Sequence, residues 1–176
     1  MLQAAAQKSY ARTVIVGLGG NLGDPEANIR SAISKLRRVS WLEGVRASSL
    51  YRTSPLGPIE QLDFINAVLS GTSTASAEYI LMELQNMERI AGREDARVRW
   101  GPRVLDLDLL MVGEEVAGDE RLQLPHQEMC GRRFVLEPLS EIEPSWVHPI
   151  SRVPIHELLK CLPEGDVVER LEEAPL

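Results

Sequence analysis

At 176 residues and 19.6 kDa the chain has the size of one ordinary domain. Its 44% hydrophobic and 26% charged residues exclude wholesale disorder, and an aromatic share of 5% calls for an aliphatic core. The formal net charge of −7 argues against a general nucleic-acid binder, although the basic set is lopsided, with 16 Arg against 3 Lys. The two cysteines, Cys130 and Cys161, share no metal-type spacing with a histidine and read as reduced thiols. No apolar run approaches the roughly 18 residues of a membrane span, and the first residues do not resemble a signal peptide. The expectation is a soluble, cytoplasmic, monomeric protein without a membrane or nucleic-acid partner. It has a flexible lead-in over 1–12, one domain over 13–163, and a solvated acidic tail over 164–176.

Thr13–Leu18, a β-branched run ending in glycines, predicts a buried strand. Asp24 followed by Pro25 predicts a helix start, with an acceptor side chain at the cap and proline where its missing N–H is harmless. Ile29, Ala32, Ile33, Leu36 and Val39 recur at helical spacing and extend that helix over 25–39. A second strand fits Gly44–Arg52. The segment Thr53–Asp63, with two prolines and a glycine, reads as a loop, and Phe64–Ser70 as a third strand. The Ser/Thr cluster at 72–76 opens a second helix carried by Ile80, Leu84, Met87 and Ala91, with Gly92 as its C-cap. Residues 93–103 read as a polar loop and Leu105–Val112 as a fourth strand. The order β-α-β-β-α-β predicts an α+β, ferredoxin-like fold, an antiparallel sheet with both helices on one face. Beyond Gly113 the pattern weakens into a C-terminal extension of short strands and turns, with a late helix near Pro154–Leu162.

Three features could carry chemistry. The turn Gly17-Leu-Gly19-Gly20-Asn21-Leu-Gly23 follows a strand and precedes a helix, but it matches neither common phosphate-loop pattern. It reads better as a tight turn without ligand duty. Asp106 and Asp108, in a strand, project from one face with Cα atoms about 6.5–7 Å apart, a separation suited to Mg²⁺ bridged by phosphate. The competing reading is two aspartates facing water on the open side of the sheet. Strand aspartates are disfavoured, however, and like charges on one face repel. Arg89, Arg93, Arg97, Arg99 and Arg103 precede them, offset only by Glu94 and Asp95. Arginine forks hold phosphate oxygens while carboxylates hold metal, which tilts the balance toward a Mg²⁺–nucleotide site.

The run Arg99-Trp-Gly101-Pro102-Arg103-Val-Leu-Asp106-Leu-Asp108 resembles the signature of the hydroxymethyl-dihydropterin pyrophosphokinase family of folate biosynthesis. Gly19-Gly20-Asn21-Leu22-Gly23, Tyr51-Arg52-Thr53-Ser54-Pro55-Leu56-Gly57-Pro58, Leu124-Pro125-His126 and the stretch from Arg132 to Leu139 resemble further family segments in the same order. The resemblance implies transfer of an intact pyrophosphoryl group from ATP to the hydroxymethyl oxygen of a reduced pterin, with release of AMP. It implies that Asp106 and Asp108 bind two Mg²⁺ ions and, with Arg93 and Arg103, form the catalytic set. Trp100, Arg121, His126 and Arg132 would join Arg93 and Arg103 around ATP. Asn66 would hydrogen-bond the pterin edge between the rings of Phe64 and Phe134, with Thr53, Leu56 and Trp100 adding contacts. The loop from Arg93 to Trp100 would be mobile without ligand and close over it.

This chain departs from the family pattern at Gly20 (usually serine), Ser54 (commonly proline), Phe64 (often tyrosine), Asp95 (commonly arginine) and Gln127 (an aromatic). Gly20 and Ser54 bear on the first two loops, Phe64 keeps the stacking face without a hydroxyl, and Asp95 and Gln127 bear on the adenine-side contacts; none touches Asp106, Asp108, Arg93, Arg103 or Asn66. Two other readings of the same residues are a non-catalytic ferredoxin-like binding module and a different Mg²⁺-dependent phosphotransferase. An intact aspartate pair speaks against the first, and the identity of the released nucleotide decides the second.

Overall fold

The computed structural model describes residues 10–55, 60–92, 101–119, 121–163, 165 and 167–171. Its main sheet is antiparallel throughout, in the order β5-β1-β4-β3-β8, with β2 also paired to β4. The strands are β1 (Arg12–Gly20), β2 (Glu43–Ala47), β3 (Tyr51–Thr53), β4 (Phe64–Ser73), β5 (Asp106–Val112) and β8 (Val168–Arg170). Four helices, α1 (Pro25–Leu36), α2 (Ala77–Ile90), α3 (Arg133–Ile142) and α4 (Ile155–Lys160), and a small β6–β7 ribbon (Ala117–Gly118, Gln123–Leu124) complete it.

The helix starts follow their capping chemistry. Asp24 Oδ1 accepts the Ala27 amide (3.0 Å) with Pro25 in the first turn, and Ser76 Oγ accepts the Tyr79 amide (3.2 Å). Helix α1 stops at Leu36, short of the expected 39, but Val39 still packs against the core. The single strand expected over 44–52 is two. Ala47 pairs with Leu69 and Tyr51 with Asn66, so β2 to β3 advances by four positions where β4 advances by three. Ser48 absorbs the extra residue: its hydroxyl accepts the Val68 amide (3.0 Å) and donates to the Ser49 carbonyl (2.8 Å).

Both faces of the sheet centre are covered, so β1 and β4 are buried along nearly their whole length. On one face Val14, Val16, Leu18, Leu69, Leu107 and Leu109 meet Ile29, Ile33 and Leu36 of α1 and Ile80 and Leu84 of α2. That is the helix layer the periodicity predicts. On the other, Ile15, Val68, Leu110 and Met111 meet Val135, Leu136 and Leu139 of α3 and Ile155 of α4. The face expected to be open to water therefore carries a second core. A register shift puts Leu110 and Met111 together on it, because Ile15 pairs with Met111 and Val16 with Leu109. The acidic tail is also more than a solvated end: β8 pairs with β3, from Tyr51↔Arg170 to Thr53↔Val168.

His148 sits in the tight turn before α4, 6% exposed, and its Nδ1 accepts the Ser151 amide (3.2 Å). Burial holds its pKa below the ordinary histidine value. The unfolded chain therefore takes up a proton first as the pH falls, and stability is lost below the unfolded value near 6.5. Urea midpoints at pH 7.5 and 5.5 should fall more steeply for the natural chain than for His148→Gln; equal slopes would contradict the assignment.

Candidate active site

Directly paired residues of adjacent strands share a sheet face, and this rule assembles the site. Asp106 pairs with Gly19, Gly19 with Asn66, Asn66 with Tyr51, and Tyr51 with Arg170, one row across five strands. The next row on β5 and β1 is Asp108 opposite Gly17. Both aspartates thus stand on the α3 face of the sheet, opposite two glycines over which the Asn66 and Leu110 side chains approach closely.

A cavity of about 210 Å³ opens over these rows. Among the residues lining it are Thr53, Phe64, Asn66, Arg103, Asp106, Asp108, His126, Arg132 and Phe134, nine of the residues nominated from sequence. Arg121 is not among them; it is exposed in the turn between β6 and β7, where its amide donates to Asp119 Oδ1 (2.7 Å). Leu56, Arg93 and Trp100, and with them the expected loop closure, lie outside the described residues.

The aspartates share a strongly charged neighbourhood. Asp106 is 19% exposed at its side chain and accepts a hydrogen bond from Arg103 Nη1; Asp108 is 40% exposed, with Arg132 Nη1 3.7 Å from its Oδ2. Burial first, and then the charge of Asp106, raise the Asp108 carboxyl above the usual carboxylate range, while His126, Arg132 and Arg103 pull the other way. A bound cation would relieve that repulsion. The donor set, two hard oxygen ligands on one face, fits Mg²⁺, which keeps waters and substrate phosphates in its coordination shell. Among the described residues no cluster of three or more His, Cys, Asp or Glu could hold a metal on protein ligands alone.

The flanking groups are tied down. Arg132 Nη2 donates to Glu128, and the guanidinium lies 5.5 Å from the centre of the Phe134 ring, within cation–π range. His126 donates its amide to the Leu110 carbonyl (2.8 Å), and its Nδ1 accepts the Glu128 amide (3.3 Å), so the neutral ring carries its proton on Nε2. Asn66 Nδ2 donates to Thr53 Oγ1 (2.7 Å) across the β4–β3 pair.

Three supports escape a motif reading. Glu88 on α2 is 2% exposed, and its carboxylate accepts the Leu107 amide (2.8 Å), the N–H between the two aspartates on an edge strand. Its signal was a carboxylate one turn after Leu84 on an apolar helix face. Asn21, also 2% exposed, accepts the Arg103 amide at Oδ1 (2.8 Å), and its Nδ2 donates to Gln61 Oε1 and the Leu62 carbonyl (3.0 Å each). It thereby joins the first turn to the segments before β4 and β5. The glycines are the third. Gly17 and Gly19 belong to β1 itself, which runs to Gly20, so the expected turn starts later than the sequence pattern predicts; both glycines line the cavity. A Cβ at Gly20 would stand 2.6 Å from the Val104 carbonyl oxygen, which accounts for glycine at that position in this chain.

At Gly19 a Cβ would meet Asn66 Oδ1 at 2.8 Å. Gly19→Ala should leave the chain folded, destabilise it by about 1–3 kcal/mol, and shift the Asn66 side-chain amide resonances as the bond to Thr53 breaks. Unmoved resonances in a proton–nitrogen NMR spectrum would show that this close approach does not hold Asn66.

Residues 15–144 match the family described as 7,8-dihydro-6-hydroxymethylpterin-pyrophosphokinase (HPPK). The 2-amino-4-hydroxy-6-hydroxymethyldihydropteridine pyrophosphokinase of Haemophilus influenzae is 41% identical over 157 residues, covering 89% of this chain and 97% of that protein. The Pseudomonas aeruginosa protein of the same name is 40% identical over 162 residues, covering 92% and 98%. A form of Plasmodium falciparum HPPK-DHPS crystallised with SDX-DHP shares the fold with a TM-score of 0.69 at 13% identity, over 88% of this chain; the chain spans 46% of that longer one. With the family model matched over residues 15–144 and these relatives matched almost end to end, the chain belongs to the HPPK family.

Proposed function

We propose that this chain transfers the pyrophosphoryl group of ATP to the hydroxymethyl oxygen of 6-hydroxymethyl-7,8-dihydropterin, releasing AMP, in folate biosynthesis, and that the cavity is where it does so. The relatives' activity supports the reaction. The observation that carries the site assignment is the meeting of the aspartate pair with Phe64, Asn66 and Phe134 in one cavity. The fold supports the same reading. Its four principal strands, β1, β2–β3, β4 and β5, run in the order β5-β1-β4-β3, which supports a ferredoxin-like plan in which we take α3, α4 and β8 as the extension.

In this reading the pterin ring lies between Phe64 and Phe134, with its polar edge toward Asn66. The Asn66 amide group is already donating to Thr53, so its Oδ1 is oriented as an acceptor for ring N–H groups. The triphosphate runs toward Asp106 and Asp108, flanked by Arg103, Arg132 and His126. Arg93, Trp100 and Arg121 complete the nucleotide side, and Leu56 the pterin side. Asp106 and Asp108 would hold two Mg²⁺ ions, which when bound neutralise phosphate charge and draw the two substrates together. The hydroxymethyl oxygen bonds to the β-phosphorus as the α–β bridge breaks; AMP departs and the hydroxyl proton leaves to solvent. Arg103 and Arg132 neutralise charge on the transferred group, while the aromatic slot fixes the attack direction.

The protein acts as a monomer in the cytoplasm in this reading. Cys130 and Cys161 are both free, which agrees with a reducing compartment.

Phosphorus NMR of the protein with ATP, Mg²⁺ and 6-hydroxymethyl-7,8-dihydropterin should show AMP and a pterin diphosphate growing together. ADP with a pterin monophosphate would overturn the reaction while keeping the site. Asp106→Ala should lower kcat by about 10³-fold or more with an unchanged circular dichroism spectrum. Near-normal turnover in that variant would remove the aspartate from the metal role.

A further inference from the structure

The row that begins at Asp106 ends at Tyr51 and Arg170, and both side chains converge on one carboxylate of α3. Glu141 accepts four donors: the Ser49 amide (3.0 Å), Ser49 Oγ (2.9 Å), Tyr51 Oη (2.9 Å) and Arg170 Nη2 (3.3 Å). Arg170 closes the ring, donating through Nε to Ser49 Oγ (3.0 Å). Burial and the Glu141 bond raise the Tyr51 pKa, so the hydroxyl keeps the proton it donates.

Glu141 lies seven residues after Phe134, two turns and about 10.5 Å along α3, so both side chains leave the helix on the same face. One end of α3 thus presents Phe134 to the cavity, while the other is bolted to β3. That strand carries Thr53, the partner of Asn66, and pairs Thr53 with Phe64. Pro138 lacks the N–H that would bond the Phe134 carbonyl, so the first turn of α3 is less braced from within and depends more on external anchoring. Charge-assisted hydrogen bonds to a half-buried carboxylate supply such an anchor.

We propose that Glu141 and the C-terminal strand residue Arg170 are positioning residues that clasp α3 to β3 and thereby set the width of the slot between Phe134 and Phe64–Asn66. The clasp touches no substrate. It acts first on the pterin half of the site through the spacing of α3 from the sheet; on the phosphate side the aspartates of β5 and Arg103 stay in place, and only Arg132, at the start of α3 beside Phe134, moves with the helix. The inference rests on the pterin reading of that slot.

The test is steady-state kinetics of the full chain carrying Tyr51→Phe and Arg170→Ala, singly and together. Tyr51→Phe keeps the ring, and the Arg170 side chain is 61% exposed, so the core is left intact. The double variant should raise the pterin KM about tenfold, with a smaller change, about threefold or less, in kcat and the ATP KM, which feel α3 only through Arg132. Arg170→Lys, which retains a cation for Glu141, should recover most of the affinity. An unchanged pterin KM in a folded variant would overturn the clasp, and so would an equal rise in both KM values, which signals general loosening. If the double variant does not fold, the single variants decide by the same criterion. Phe134→Ala in the otherwise natural chain separates the two readings: an unchanged pterin KM there refutes the slot itself, whereas failure of the clasp alone leaves that effect intact.

Discussion

Cross-strand pairing is the constraint on which the rest of this structure depends. Antiparallel partners share a face, so placing Asp106 opposite Gly19 and Gly19 opposite Asn66 brings residues from three distant stretches of chain into one line. The line works only because its central member has no side chain. Gly19 lets the Asn66 amide approach to a distance no Cβ would allow, and Gly17, opposite Asp108, lets the Leu110 side chain lie close over β1. Two carboxylates one residue apart on a half-buried strand face repel each other, as the raised Asp108 carboxyl records. Arg103 and Arg132 offset part of that repulsion, and their own positions are secured by Asn21 and Glu128. A site arranged in this way is poised for a cation and a polyanion together, since either alone would leave the charges unbalanced.

Local chemistry made about half of this legible from the sequence. Cap residues Asp24 and Ser76, the apolar stripes of α1 and α2, and the alternation through Asp106 and Asp108 act within a few residues, and each appears in the structure where its pattern puts it. The helix pair on one face follows from those stripes. What stayed hidden depended on distant partners. Helix α3 begins without a side-chain cap and contains a proline, so neither its start nor its interior announces a helix; packing of Val135, Leu136 and Leu139 against the sheet holds it. Strand β8 is three residues long and mostly polar, and only its pairing with β3 makes it a strand.

The site divides along the same line. Asp106, Asp108 and Arg103 were visible because their chemistry is adjacent in sequence. Phe64, Asn66, Phe134 and His126 entered through family likeness, and the cavity unites them. Glu88, Asn21 and Glu141 were missed because a polar side chain holding a backbone amide, fully buried in the first two and partly exposed in the third, looks in sequence like any surface residue. Each is recognisable only from its burial together with its acceptor partners.

Among the described residues that line the cavity, none is placed as an obvious proton acceptor for an attacking hydroxyl. Asp106 accepts from Arg103, Asp108 has the Arg132 guanidinium 3.7 Å away, and His126 has its Nδ1 occupied by a backbone amide. The buried Glu88 is committed to Leu107. In the proposed reaction the catalytic power comes from holding two reactants in line and neutralising phosphate charge, effects whose size depends on tenths of an ångström. That dependence explains why so much of the polar network outside the cavity is spent on geometry. Asn21 fixes Arg103, Glu88 fixes the strand between the aspartates, and Thr53 orients Asn66. A fold that relied on a general base would need one residue tuned; a fold that relies on alignment needs every wall of the slot held.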